Sequence, residues 1–177
     1  TYLTDLKSAV LFEFEALYNK HQNQDIYAFA LVLDNLLLAQ YTIVSTQNSL
    51  LNEAENKYQY LAEEHKWNVD KWQYRADTHQ GVALFARKMR AYFQHTSLNS
   101  TNVSSKNRFN SNALNFYMDC MAAVQEEILK RYPVAASHIT FLVHLSSDSN
   151  IALSSLARLN PPHSNLFEAI ANLKSTV

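Results

Sequence analysis

Seven histidines, one cysteine and sixteen acidic residues are the groups with which this chain could do chemistry. His138 and His144 would share one face of a strand, but six residues at about 3.3 Å each separate them by roughly 20 Å, too far for one ion. His65 follows Glu63 and Glu64, yet no second histidine stands four residues away, so no zinc-protease helix can be written. Asp77 and His79 could form an acid-oriented histidine. Surface or hydrogen-bonding roles are the simpler reading, and no metal is assigned. A cysteine nucleophile needs a helix N-terminus or a nearby cation to lower its pKa. Cys120 falls in mid-helix beside Asp119 and reads as a passive, buried thiol. Glu63/Glu64 and Glu126/Glu127 are adjacent pairs whose side chains would diverge by about 100° on a helix, so they read as solvated faces.

Two further groups suggest recognition instead of catalysis. Arg87, Lys88 and Arg90 form a basic ridge. Arg87 and Arg90 are i,i+3 neighbours able to meet a carboxylate-rich partner, or else simply a solvated face. Trp67, Trp72 and Tyr74 form an aromatic cluster. Trp72 reads as core; Trp67, flanked by Lys66 and Asn68, stands open between core filler and interface anchor.

Gly81 is the only glycine in 177 residues. Phosphate-binding loops, dinucleotide fingerprints and the serine-hydrolase elbow each need at least two, so none can be present. Seventeen asparagines are available to replace glycine at turns. Net charge is −1, which offers no bulk attraction to nucleic acid or an anionic membrane. With a single cysteine, no internal disulfide and no cysteine-rich zinc site can form. Residues 1–20 are amphipathic and carry acids throughout, unlike a secretory signal, and no apolar stretch approaches a membrane span. A soluble, cytoplasmic protein of one domain is the expectation, with no cofactor.

The elements that must position these groups follow from periodicity. Leu3, Leu6, Val10, Phe14 and Leu17 repeat at helical spacing, with Lys7, Glu13, Glu15 and Lys20 mostly off the stripe. Runs 26–33 and 36–44 read as a hairpin turning at Asp34-Asn35. The first run, apolar on both faces, should be a central strand. Ser45 or Thr46 should cap a second helix carrying Leu50, Leu51, Ala54, Tyr58, Leu61 and Ala62. Asn68 should cap a short turn before a strand around 72–75. A third helix is expected over 79–95, with Val82, Phe85, Met89 and Phe93 inward. Residues 96–112 are rich in Ser, Asn and Thr, contain two glycosylation-type triplets beginning at Asn99 and Asn102, and read as a long mobile loop. A helix over 111–131 stops before Pro133. A strand over 138–146, a short helix near 150–157, a turn at Asn160-Pro161-Pro162 and a last helix near 163–174 complete the chain. The expected architecture is α+β: a small, partly antiparallel sheet covered by about five helices.

Three segments, in order, resemble a known family. They are Tyr27-Ala28-Phe29-Ala30-Leu31 with Asp34; Trp67 followed by Trp72-x-Tyr74; and a late strand ending at Asp148 followed by Leu159-Asn160-Pro161. Together they resemble the bacterial domain-of-unknown-function family numbered four-three-zero-three, from about residue 3 to residue 170. The family pattern has a proline where Val69 stands and often a glycine where Asn35 stands, which puts turn geometry in question. The resemblance carries over no catalytic residue. It implies a small single-domain protein of the kind found beside bacterial toxin genes, where immunity proteins bind and block a cognate toxin. A protein-interaction module occluding a toxin is therefore the expectation, not an enzyme. Its partner would be a protein, with no nucleic acid and no membrane. Its binding surface would include Trp67, Asp70, Arg87, Lys88, Arg90 and the 96–112 segment. The alternatives are a small enzyme or ligand-binding domain using Asp77, His79, His144 and Asp148, and a structural or regulatory homo-oligomer.

Overall fold

The computed structural model describes residues 1–50, 61–76, 80–98 and 103–176. The first apolar stripe forms α1 (Tyr2–His21), opened by Thr1, whose hydroxyl accepts from the Thr4 amide. The run expected to be central forms β1 (Ile26–Leu33), buried along its whole length. It lies between β2 (Ala39–Thr46), which is antiparallel to it, and β4 (Thr140–Leu145), which is parallel. A two-residue strand β3 (Tyr74–Arg75) pairs with β2 and sets the order β3-β2-β1-β4. The helices are α2 (Val82–Leu98), α3 (Val103–Arg131), a short α4 (Pro133–Ala136), α5 (Ser149–Leu159) and α6 (Ser164–Ser175). The expected α+β class and the mixed, partly antiparallel sheet are what the structure shows.

Alternation along the strands divides the interior into two cores. Phe29 and Leu31 of β1, with Phe141 and Val143 of β4, face α1, α2 and α3. Rings stack edge to face through this layer, Phe14 on Phe29 at 5.1 Å and Phe29 on Phe141 at 6.0 Å. Tyr27, Ala28, Ala30 and Leu142 face the other way, toward Trp67, Trp72 and the buried residues of α6. Helix α5 runs beside β4 and contributes to both cores, Ile151 and Leu159 to the first, Ala152 and Leu156 to the second.

Four expectations are corrected. The hairpin does not turn at Asp34-Asn35. Asp34 and Leu38 close a three-residue loop, and the left-handed residue is Leu37, at φ 59°. Asp34 Oδ1 accepts from the amides of Leu36 and Leu38 at 2.9 and 3.0 Å. Leu37 tolerates its backbone because its side chain is buried in the first core and its carbonyl accepts from the Tyr117 hydroxyl at 2.6 Å. Next, the 96–112 segment is not one long loop: α2 runs through Leu98 and α3 begins at Val103. Ser, Asn and Thr cost only tenths of a kcal/mol each in a helix, up to about 0.7, and no Gly or Pro interrupts the stretch. Third, Glu13 is not off the stripe but buried within it, at 2% exposure. Of the expected second helix, Ser45 stays in β2 and Thr46 caps a 3-10 turn at Gln47–Ser49. Leu51, Ala54 and Tyr58 lie outside the described residues, as do Asp77, His79, Asn99, Asn102 and the side chain of Phe93.

Candidate functional site

Glu13 follows Val10 by three residues and precedes Leu17 by four, so the helix carries its carboxylate inward with them. There Oε2 accepts from the Val82 amide at 2.7 Å and Oε1 from the Thr42 hydroxyl at 3.2 Å. Val82 opens α2, whose first amides have no partner within their own helix. Gly81 has no side chain to cap them, so a carboxylate from α1 does so instead. The lone glycine is required twice. Its φ is +72°, and a Cβ there would stand 2.8 Å from both Glu13 Cγ and Oε2. Burial pushes the Glu13 carboxyl up to about 7, against the pull of its hydrogen bonds from Val82 and Thr42 and of the Arg75 charge.

Beside this clasp, α1 and α2 leave a cleft of about 220 Å³. Asp5, Ser8 and Ala9 form one wall, and Gly81, Leu84 and Lys88 the other. Phe12 continues the α1 wall by one turn and is 56% exposed; Leu84 is 45% exposed. Arg87, Lys88 and Arg90 are all exposed, while Val82, Phe85 and Met89 on the other side of α2 are buried. None of the three cations meets an acid among the described residues. By contrast Lys130 pairs with Glu126, Arg131 with Glu127 and Glu15, Arg158 with Asp119, and Lys66 with Glu168.

A second cluster lies at the end of β4. Asp70 Oδ1 accepts from the Ser146 hydroxyl at 2.7 Å and contacts His144 Nε2 at 3.0 Å. Asn68 positions Asp70 by accepting from its amide, as its turn-capping role required. Partial burial opposes ionisation of Asp70, but the hydrogen bonds from Ser146 and His144 outweigh it and hold the carboxyl below its usual range. An ionised carboxylate only accepts, so His144 Nε2 donates the proton of this bond. Nδ1 is buried with no partner. Neither imidazole nitrogen is open to a substrate. The cluster is a strut tying the turn at 69–71 to β4, not a nucleophile and its base.

The sheet therefore separates residues that the sequence grouped together. Trp67 and Asp70 belong to the side of the second core, whereas Arg87, Lys88 and Arg90 ride on α2 over the first. Trp67 is 2% exposed and resolves to core, edge-on to Tyr27 at 5.2 Å. Trp72 is also buried, donating to the Lys66 carbonyl at 2.9 Å. His144 and Asp148, weighed as enzyme residues, have structural tasks; Asp148 accepts from the Asn150 amide and caps α5. The Cys120 thiol is buried and pushed up to about 12. Among the described residues no three His, Cys, Asp or Glu side chains converge as metal ligands, and no helix is long and apolar enough to cross a membrane.

No curated protein and no solved structure matches the chain. One family model does, over residues 6–161, from the first turns of α1 to the turn after α5. That span holds both the Glu13–Gly81 clasp and the Asp70–His144 strut, and on it the chain belongs to the family described as Domain of unknown function (DUF4303).

Proposed function

We propose that this protein is an interaction module, in concrete terms an immunity protein that binds and occludes a bacterial toxin or effector. The observation that carries the reading is the face of α1 and α2. Two large apolar side chains, Phe12 and Leu84, are exposed there beside three cations that have no acid partner among the described residues. Exposed apolar anchors next to arginines are the composition of interface centres. A stable complex needs about 1,000 Å² or more in total, so this face would be the middle of a larger footprint. Inhibition would be steric, a covering of the toxin's working surface that needs no catalytic group. The resemblance to proteins encoded beside toxin genes supplies the partner class. Co-expression with the toxin encoded next to the gene tests it. A complex that co-elutes in size-exclusion chromatography, together with rescue of growth, is expected. Absence of both overturns the reading.

A further inference from the structure

We infer that the α1–α2 cleft receives an acidic segment of the partner protein, seating one apolar side chain between the helices and setting carboxylates against Arg87, Lys88 and Arg90. This rests on the interaction reading above and names the chemistry of the partner at that face. Size is the first argument. About 220 Å³ falls below the roughly 300–1,000 Å³ of sites that engulf a whole small ligand, and matches a single anchoring side chain. Charge is the second. Lys88 lines the cleft opposite Asp5, and Arg87 and Arg90 continue the cations around the exposed face of α2, whose residues 82–98 include no acid. Helix α2 is thus positive in a chain whose net charge is −1. Arg87 and Arg90, one turn apart, can hold carboxylates through paired hydrogen bonds. Rigidity is the third. The Glu13 bond to Val82 and the missing Cβ of Gly81 fix the approach of α2 to α1, so the cleft exists before a partner arrives.

The test uses a defined probe. A blocked peptide Glu-Glu-Leu-Phe-Glu-Glu is titrated into the full chain while backbone amide shifts are followed. The expected result is a weak complex, Kd on the order of 1 mM, with perturbed amides concentrated at residues 5–9 and 81–88. The triple variant R87E/K88E/R90E should weaken it at least tenfold, and Leu84→Ala severalfold. All four side chains are exposed, and circular dichroism verifies that the variants fold. The lysine counterpart of the peptide should bind at least tenfold more weakly than the acidic one. Shifts elsewhere, equal affinity for the lysine peptide, or indifference to the triple reversal would each overturn the proposal. So would tighter binding of a ten-nucleotide poly-dT strand at the same amides, which would mark a phosphate-binding face, or concentration-dependent dimerisation protecting them, which would mark a second copy as occupant. Failure of the two readings is distinguishable. If the peptide maps to the cleft but no toxin complex forms, only the toxin reading falls. If the toxin complex survives the triple reversal at full strength, only the cleft falls.

Discussion

Glu13 and Asp70 are both carboxylates that join distant segments, and their surroundings push them in opposite directions. Glu13 is enclosed by α1, β2 and the start of α2, and burial raises it to about 7. Asp70 keeps nearly half of its side chain in solvent, and its partners Ser146 and His144 hold it below the usual range. Each accepts hydrogen bonds from two other residues. What separates them is water: around Asp70 solvent still shares in stabilising the charge, whereas around Glu13 two donors and a nearby arginine do not replace it. A single fold therefore contains a clasp under electrostatic tension and a strut that is relaxed.

The sharpest way to break that comparison is to crowd the clasp. Gly81→Ala forces a left-handed alanine, costing about 1–2 kcal/mol, and drives its methyl group into the Glu13 side chain, costing about 1–3 kcal/mol more. Urea denaturation should show a loss of about 3 kcal/mol. In a Glu13→Ala background, where the colliding atoms are gone, the same change should cost only the backbone part, about 1–2 kcal/mol. Equal costs in the two backgrounds would mean that Gly81 serves its φ alone and not the carboxylate.

The next largest effect is the dependence of stability on pH. The folded Glu13 carboxyl titrates near 7 and the unfolded one near 4.5. A raised folded value means that this group's contribution is fully present below the unfolded pKa and is lost as pH rises through the folded one. Between pH 5 and pH 8 the protein should therefore lose about 2–3 kcal/mol through this group. Glu13→Gln should flatten that limb of the curve. A wild-type curve that is already flat between pH 5 and pH 8 would show that Glu13 is solvated far better than its burial implies.

These sites differ as much in legibility as in energy. Glu13 could have been read from spacing, since positions 6, 10, 13 and 17 share one helical face; its charge drew it to the surface in a reading by residue type. The need for a lone glycine beside it was out of reach, because 68 positions separate Gly81 from Glu13. Asp70 and His144 were each singled out, for different roles, and their pairing over 74 positions has no local signature. The stripes of α1, β1 and the later part of α3 were legible because apolar periodicity reports one buried face. The place of the hairpin turn has no local signature, because Leu37 is held left-handed by its burial and by Tyr117. The start of α3 is hidden by its polar composition, although nothing in those residues breaks a helix.

The smallest expected effect sharpens the other half of the comparison. Asp70→Asn keeps the shape of the strut but removes the charge that Ser146 and His144 stabilise. Because the carboxyl is half-exposed, the cost at pH 7 should stay at about 1 kcal/mol or less. Its sign with pH is opposite to that of Glu13. A lowered folded pKa gives stability that is present above the unfolded value, near 3.8, and is lost as pH falls through the folded one. Wild-type stability should then fall away on both sides, on the acid side partly through Asp70 and on the alkaline side through Glu13. Asp70→Asn should shallow the acid limb and leave the alkaline limb intact; Glu13→Gln should do the reverse. If either variant alters both limbs, the clasp and the strut are coupled through the sheet between them, and the two cores do not act as separate supports.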